Sequence, residues 1–238
     1  MALEKASFTV ASDEICALIG PNGAGKTTLF NCISGLYRPD SGSIRFDGTE
    51  LVGKAAYRRA DLGIARTFQN LGLFRSTTVL ENVLVGAHHR SRSGLLSGAL
   101  KLPGVRSSER QLRNDAIEAL EQLGLKQYAT KQVADLPFGV LKRVELARAL
   151  VGRPSLLLID EPAAGLTHIE AHDLGRLLQD VRARFGVSVL IVEHHMSLVM
   201  AISHHVVVLN FGRVIAEGTP DEVREDPAVV EAYLGGDE

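Results

Sequence analysis

Residues 14–28 read EICALIGPNGAGKTT, and their order decides the fold. Glu14 to Ile19 is a short apolar run of strand length, which predicts a buried strand. Gly20-Pro21-Asn22-Gly23-Ala24-Gly25-Lys26-Thr27 then fits G-x-x-x-x-G-K-[ST], ahead of a predicted helix through about Ser34. The chemistry asks for these residues at this spacing. Glycines let backbone N–H groups turn toward a β-phosphate, and the N-terminus of the following helix adds a favourable dipole. In this pattern the lysine, Lys26, reaches the β- and γ-phosphates, and the Thr27 hydroxyl is placed for Mg²⁺. Thr28 completes the predicted phosphate-binding set.

Further along, SLLLIDEP ends an apolar run in two adjacent carboxylates, Asp160 and Glu161. At a strand tip beside a phosphate loop, Asp160 suits the Mg²⁺ shell and Glu161 suits polarisation of a water for in-line attack. VSVLIVEH is a second continuous apolar run, typical of parallel strands covered on both faces. A predicted helix from about Ile169 to Phe185 separates the two, giving a βαβ unit. SGSIRFDG and residues 63–68 read as short strands, and HVVVLNFGRVIAEG as a hairpin turning at Asn210, Phe211 and Gly212. Thr78 and Glu81 have capping-box spacing for a helix toward His88. The Ser-, Gly- and Arg-rich residues 89–109 read as a loop, followed by an amphipathic helix from Arg110 to Leu123. Thr219-Pro and Asp226-Pro each put a cap before a proline at the first helical position.

The bulk properties narrow the function classes. The 238 residues carry 45% hydrophobic but only 5% aromatic side chains and no Trp, which suits an aliphatic α/β interior. A net charge of −2 gives no electrostatic reason to expect a nucleic-acid partner. Cys16 and Cys32 fall on a predicted strand and helix, as buried free thiols do. No apolar run is long enough to span a bilayer, so any membrane role comes through a partner. His168 and His172 lie four apart, but Ile169 stands where a metalloprotease helix needs Glu directly after the first His.

The motifs come in a fixed order: phosphate loop, Gln69 after ARTF, the glycine-bearing helix start at LPFGV, Asp160-Glu161, then His194 after the next strand. That order resembles the ATP-binding cassette (ABC) ATPases. The resemblance covers nearly the whole chain. It implies a P-loop α/β core with a small antiparallel β-subdomain, an inserted helical subdomain at about 70–152 and a helical tail at about 219–238. It also implies that Gln69 contacts Mg²⁺ and the membrane subunit, that His194 contacts the γ-phosphate, and that Gly139 and Val140 donate backbone amides to ATP on an opposing subunit. RTFQNLGLFRSTTVLENVLVGAHHR, DEPAAGL and GRVIAEGTPDEVREDPAVVEAYLG are similar to the ATPase subunits of high-affinity branched-chain amino-acid importers. The expected cofactors are ATP and Mg²⁺. The expected partners are a second cassette, identical or not, two transmembrane permease subunits and, indirectly, an extracytoplasmic solute-binding protein, at the cytoplasmic face of the membrane.

The sequence departs from that pattern in places. The signature, usually Leu-Ser-Gly-Gly-Gln, is matched by Leu136-Pro137-Phe138-Gly139-Val140, so Pro137 removes the serine hydroxyl and its own N–H. Thr167 stands where many of these ATPases have Asp. The family's adenine-stacking aromatic precedes the segment matching ALEKASFTV, and no residue here is assigned to it. Three other readings follow: a regulatory cassette that binds ATP while its partner hydrolyses it, the ATPase of a lipid or glycan exporter, or a soluble ABC ATPase of DNA repair or translation.

Overall fold

The computed structural model describes residues 2–67, 72–88 and 103–234. The chain divides into two compact units, Met1–Arg59 with Ser155–Glu238, and Ala60–Pro154.

In the first unit the strands are β1 (Ile15–Ile19), the hairpin β2 (Arg45–Phe46) and β3 (Thr49–Glu50), β5 (Leu156–Asp160), β6 (Ser188–Val192), β7 (His205–Asn210) and β8 (Arg213–Gly218). The main sheet of this unit runs β5-β6-β1-β7-β8. Pairing is parallel from β5 to β7, and only β8 is antiparallel. Every residue of β1, β5 and β6 is buried, which explains why these strands read as unbroken apolar runs rather than as alternating ones. The register matters for function. Leu18 and Asp160 both pair with Val192, so β1, β5 and β6 end at one rim. In open parallel sheets ligands bind beyond the carboxyl ends of the strands, where the connections diverge.

Helices α1 (Lys26–Ser34), α6 (His168–Phe185) and α7 (Met196–Ile202) belong to this unit, with α8 (Pro220–Glu225) and α9 (Pro227–Leu234) at its C-terminal end. Thr167 and Thr219 head α6 and α8 in capping boxes with Glu170 and Glu222. The β7–β8 turn places Phe211 and Gly212 at positive φ, the conformation of a two-residue hairpin turn with right-handed twist. Cys16 and Cys32 are buried free thiols.

Arg59, 3% exposed, ties this unit together from the last turn of α2 (Ala56–Asp61). Its guanidinium donates to the carbonyls of Cys32, Ile33, Leu51 and Lys54 at 2.5–3.2 Å, so one cation caps the last turn of α1 and the loop after β3. Arg59→Met leaves those carbonyls without their donor. It is expected to cost about 3 kcal/mol, seen as a drop of roughly 6–12 °C in thermal midpoint.

The second unit holds β4 (Ile64–Arg66), α3 (Val79–Gly86), α4 (Pro103–Gln122) and α5 (Phe138–Leu150). Asn82 on α3 has no exposed surface and ties down the preceding loop: its amide donates to Phe74 O, Thr77 Oγ1 and Thr78 O, and its oxygen accepts from Phe74 N. Gly86 lies where α3 crosses α5, and a Cβ there would collide with the Arg148 carbonyl. Asp115, 6% exposed, accepts from Arg153 and Gln111 at 3.0 Å.

Two expectations need correction. Residues 103–109 are helical, so the predicted loop of 89–109 ends earlier and α4 starts at Pro103 rather than Arg110. Proline suits a helix's first turn, and Pro103 to Glu109 holds too few apolar residues to show a helical period. The short helices α2 and α7 also lie in stretches read without them.

Candidate active site

The phosphate loop leaves β1 at the shared rim. Gly20 has φ +148, and a Cβ there would collide with the Leu209 carbonyl of β7, so only glycine lets β1 leave the sheet this close to its neighbour. Gly25, at φ 102, is the N-cap of α1 and offers no side-chain acceptor. The first-turn N–H groups of α1 have no intrahelical carbonyl to bond and face the anion position at the positive end of the helix dipole. Asn22, Gly23 and Thr27 are exposed on the loop, while Ala24 and Lys26 are buried. Lys26 Nζ donates to the carbonyls of Gly20 at 2.7 Å and Pro21 at 2.9 Å, closing the loop around its own side chain. Burial pulls the Lys26 ammonium below the usual lysine range, and Glu161 draws it back up. An ammonium held dry beside a carboxylate is poised to gain from an arriving phosphate charge.

The two adjacent carboxylates differ in their surroundings. Asp160 ends β5 at 5% exposure, still in register with Val192. At Glu161 the backbone turns to φ 44, a left-handed conformation that costs an ordinary residue roughly 1–2 kcal/mol. Two bonds hold it there: Glu161 N donates to Val192 O at 2.8 Å, and its carbonyl accepts from Ala164 N at 3.2 Å. The Glu161 side chain is 27% exposed and its Oε1 lies 4.0 Å from His194 Nδ1. That distance is beyond a hydrogen bond and leaves room for a reacting group to tighten the pair. The His194 ring is 62% exposed, facing the solvent side of the rim.

Glu193 was not singled out from the sequence. It has no exposed surface and its carboxylate accepts three backbone N–H groups: Ala163 at 2.8 Å on Oε1, and His194 at 2.9 Å and His195 at 3.0 Å on Oε2. One buried carboxylate thus ties the turn after Glu161 to the turn that carries His194. The available signal was a charged residue closing a fully apolar strand, which demands several donors. Tyr233 on α9 was also missed. Partial burial pushes its phenol up, and the nearby Gly20 backbone N–H draws it back.

The signature-like segment lies in the second unit. Pro137 is the N-cap of α5 and gives no side-chain cap; its carbonyl accepts from both Val140 N at 3.0 Å and Leu141 N at 3.1 Å. The Val140 N–H, expected to serve nucleotide on an opposing subunit, bonds the Pro137 carbonyl in the first turn of α5. Phe138 is 46% exposed, with the Lys142 ammonium 5.3 Å from its ring centroid. Gln69 lies outside the described residues.

For a cation carried with nucleotide, the donor set at the rim is a threonine hydroxyl, Thr27, and a carboxylate, Asp160. These are hard oxygen ligands and they fit Mg²⁺.

Known proteins bear on this site directly. The family model for ABC transporters matches residues 3–164, and that for the branched-chain amino acid ATP-binding cassette transporter matches residues 213–238. The chain is 43% identical over 235 residues to the high-affinity branched-chain amino acid transport ATP-binding protein BraF of Pseudomonas aeruginosa, covering 99% of this chain and 92% of that one. Among solved structures, the ADP conformation of MJ1267, an ATP-binding cassette of an ABC transporter, superposes with a TM-score of 0.85 at 33% identity, covering 98% of this chain and 92% of that one. A dimeric post-hydrolysis state of the ATP-binding cassette MJ0796 bound to ADP and Pi gives 0.75 at 26% identity, covering 92% and 90% of the two chains. A loop built to hold phosphates, on a chain alike in sequence and fold to such cassettes along nearly its whole length, places this protein in the ABC transporter family as an ATP-binding cassette.

Proposed function

We propose that this chain hydrolyses ATP to drive an importer of branched-chain amino acids. The observation that carries the chemistry is the left-handed turn at Glu161, whose carboxylate lies 4.0 Å from His194 on the rim shared with Lys26. Glu161 takes the proton of the attacking water, His194 orients the γ-phosphate, and Lys26 with the loop amides holds the β- and γ-phosphates. Thr27 and Asp160 hold Mg²⁺, and Gln69 joins them. Bound with ATP, that ion supplies charge neutralisation at the phosphate oxygens. Phosphate release by the purified chain tests this role. It is expected to stop when EDTA removes Mg²⁺, and release that continues unchanged would overturn the role given to Thr27 and Asp160.

The substrate class rests on the match of residues 213–238 to the branched-chain amino acid cassette model and on relatives such as BraF. Among the described residues no helix is long and apolar enough to cross a membrane, which suits a peripheral subunit held at the cytoplasmic face by permease partners. Two cassettes close around ATP, each presenting Gly139 and the start of α5 to its partner's nucleotide. Pro137 gives that segment no hydroxyl, so Pro137→Ser is expected to raise the ATPase rate of the assembled complex. The size of one charge-assisted hydrogen bond bounds the gain at roughly 10- to 150-fold. Steady-state phosphate release by the two complexes checks it, and an unchanged rate would mean that this segment does not limit turnover.

A further inference from the structure

At the other end of β1 a second cluster of ligating side chains meets. Glu14 and Cys16 project from the same side of the strand, because side chains alternate with period two. His205 opens β7 directly opposite Cys16 in the parallel register. One ligand atom from each of Glu14, Cys16 and His205 lies within 4.8 Å of the others, the one such group of three among the described residues. Glu14 Oε1 and His205 Nδ1 are 3.9 Å apart, and the two side chains are 15% and 21% exposed. Cys16 has no exposed surface. The cluster is thus dry on the thiol side and open to solvent on the other. Neighbouring His204 is committed elsewhere, its Nδ1 accepting from Ile15 N at 3.1 Å.

We propose that Glu14, Cys16 and His205 form a binding site for a borderline divalent cation of the Zn²⁺ class. Thiolate, imidazole and carboxylate are the donor set such ions take, with water in the fourth position. Bonds of about 2.0–2.3 Å set tetrahedral ligand atoms roughly 3.3–3.7 Å apart, so closure on an ion takes side-chain shifts of about an ångström. Binding takes the Cys16 thiol as thiolate and releases its proton, so affinity rises with pH. Mg²⁺ disfavours sulfur and nitrogen, so the nucleotide's ion does not compete here. At about 3.3 Å per residue, the cluster sits roughly 13–20 Å along β1 from Gly20 and shares no ligand with the phosphate loop. Its effect is to clamp β1 to β7, the strands whose far ends carry Gly20 and Leu209.

The test is titration of the metal-stripped full chain with Co²⁺, a coloured substitute for Zn²⁺. Thiolate-to-cobalt charge-transfer absorption in the near ultraviolet is expected to saturate at one ion per chain and to be displaced by Zn²⁺. Cys16→Ser is expected to abolish the band, Cys32→Ser to keep it, and His205→Ala to weaken Co²⁺ binding about tenfold or more. A wild-type chain without the band, or a band that survives Cys16→Ser, overturns the site. Should Cys16→Ser fail to fold by circular dichroism, His205→Ala decides, and unchanged Co²⁺ affinity in that variant overturns the proposal.

Discussion

Glu161→Gln is expected to lower ATP turnover by at least about 10²-fold, and up to about 10⁴-fold, while ATP still binds. The reason is local. Gln has the shape of Glu and keeps the backbone bonds to Val192 and Ala164 that hold residue 161 in its left-handed turn. Neither Lys26 nor the phosphate loop loses a hydrogen bond, since Lys26 Nζ donates to Gly20 and Pro21 rather than to Glu161. What disappears is the carboxylate oxygen 4.0 Å from His194, the proton acceptor in the proposed mechanism. Single-turnover phosphate release and equilibrium binding of a fluorescent ATP analogue separate the two effects. Unchanged turnover in a folded Glu161→Gln chain would remove Glu161 from the role of general base.

The second large effect falls on a residue that touches no substrate. Glu193→Ala strands three backbone N–H groups, those of Ala163, His194 and His195, at a site with no exposed surface at residue 193. Buried donors left unpaired cost about 1–3 kcal/mol each. Because two of the three are only partly buried, we expect a loss of about 3 kcal/mol in all, with a lower thermal midpoint. Turnover should fall as well, since the turns bearing Glu161 and His194 lose their common anchor. The KM for ATP should move little, because the phosphate loop is untouched. Glu193→Gln should lie between, since its amide has one acceptor oxygen where the carboxylate has two. A Glu193→Ala chain with wild-type midpoint and wild-type kcat would contradict the anchoring role.

These two residues also show what could be read before the structure. Glu161 was legible as a candidate base because a strand ending in paired carboxylates beside a phosphate loop has few other uses. Its backbone conformation was not legible, since a left-handed turn at a non-glycine residue has no local sequence signal. Glu193 was hidden for the opposite reason. It closes an apolar strand beside a more conspicuous histidine, and its partners are backbone groups that leave no mark in composition. The parallel strands, the hairpin at Phe211-Gly212 and the capped helices were legible because burial on both faces, turn chemistry and caps each constrain residue type. The short helix α7 was not, although Leu198, Val199 and Ile202 are buried with helical spacing, because so short a run draws its stability from packing rather than propensity.

The most direct test of the whole account is ATPase activity of the chain copurified with its permease subunits and reconstituted in vesicles, with and without solute-binding protein loaded with leucine. The account predicts that the loaded binding protein raises phosphate release and that Glu161→Gln removes both the basal and the stimulated rates. Phosphate release indifferent to the loaded binding protein, or a chain that copurifies with no membrane subunit, would contradict it.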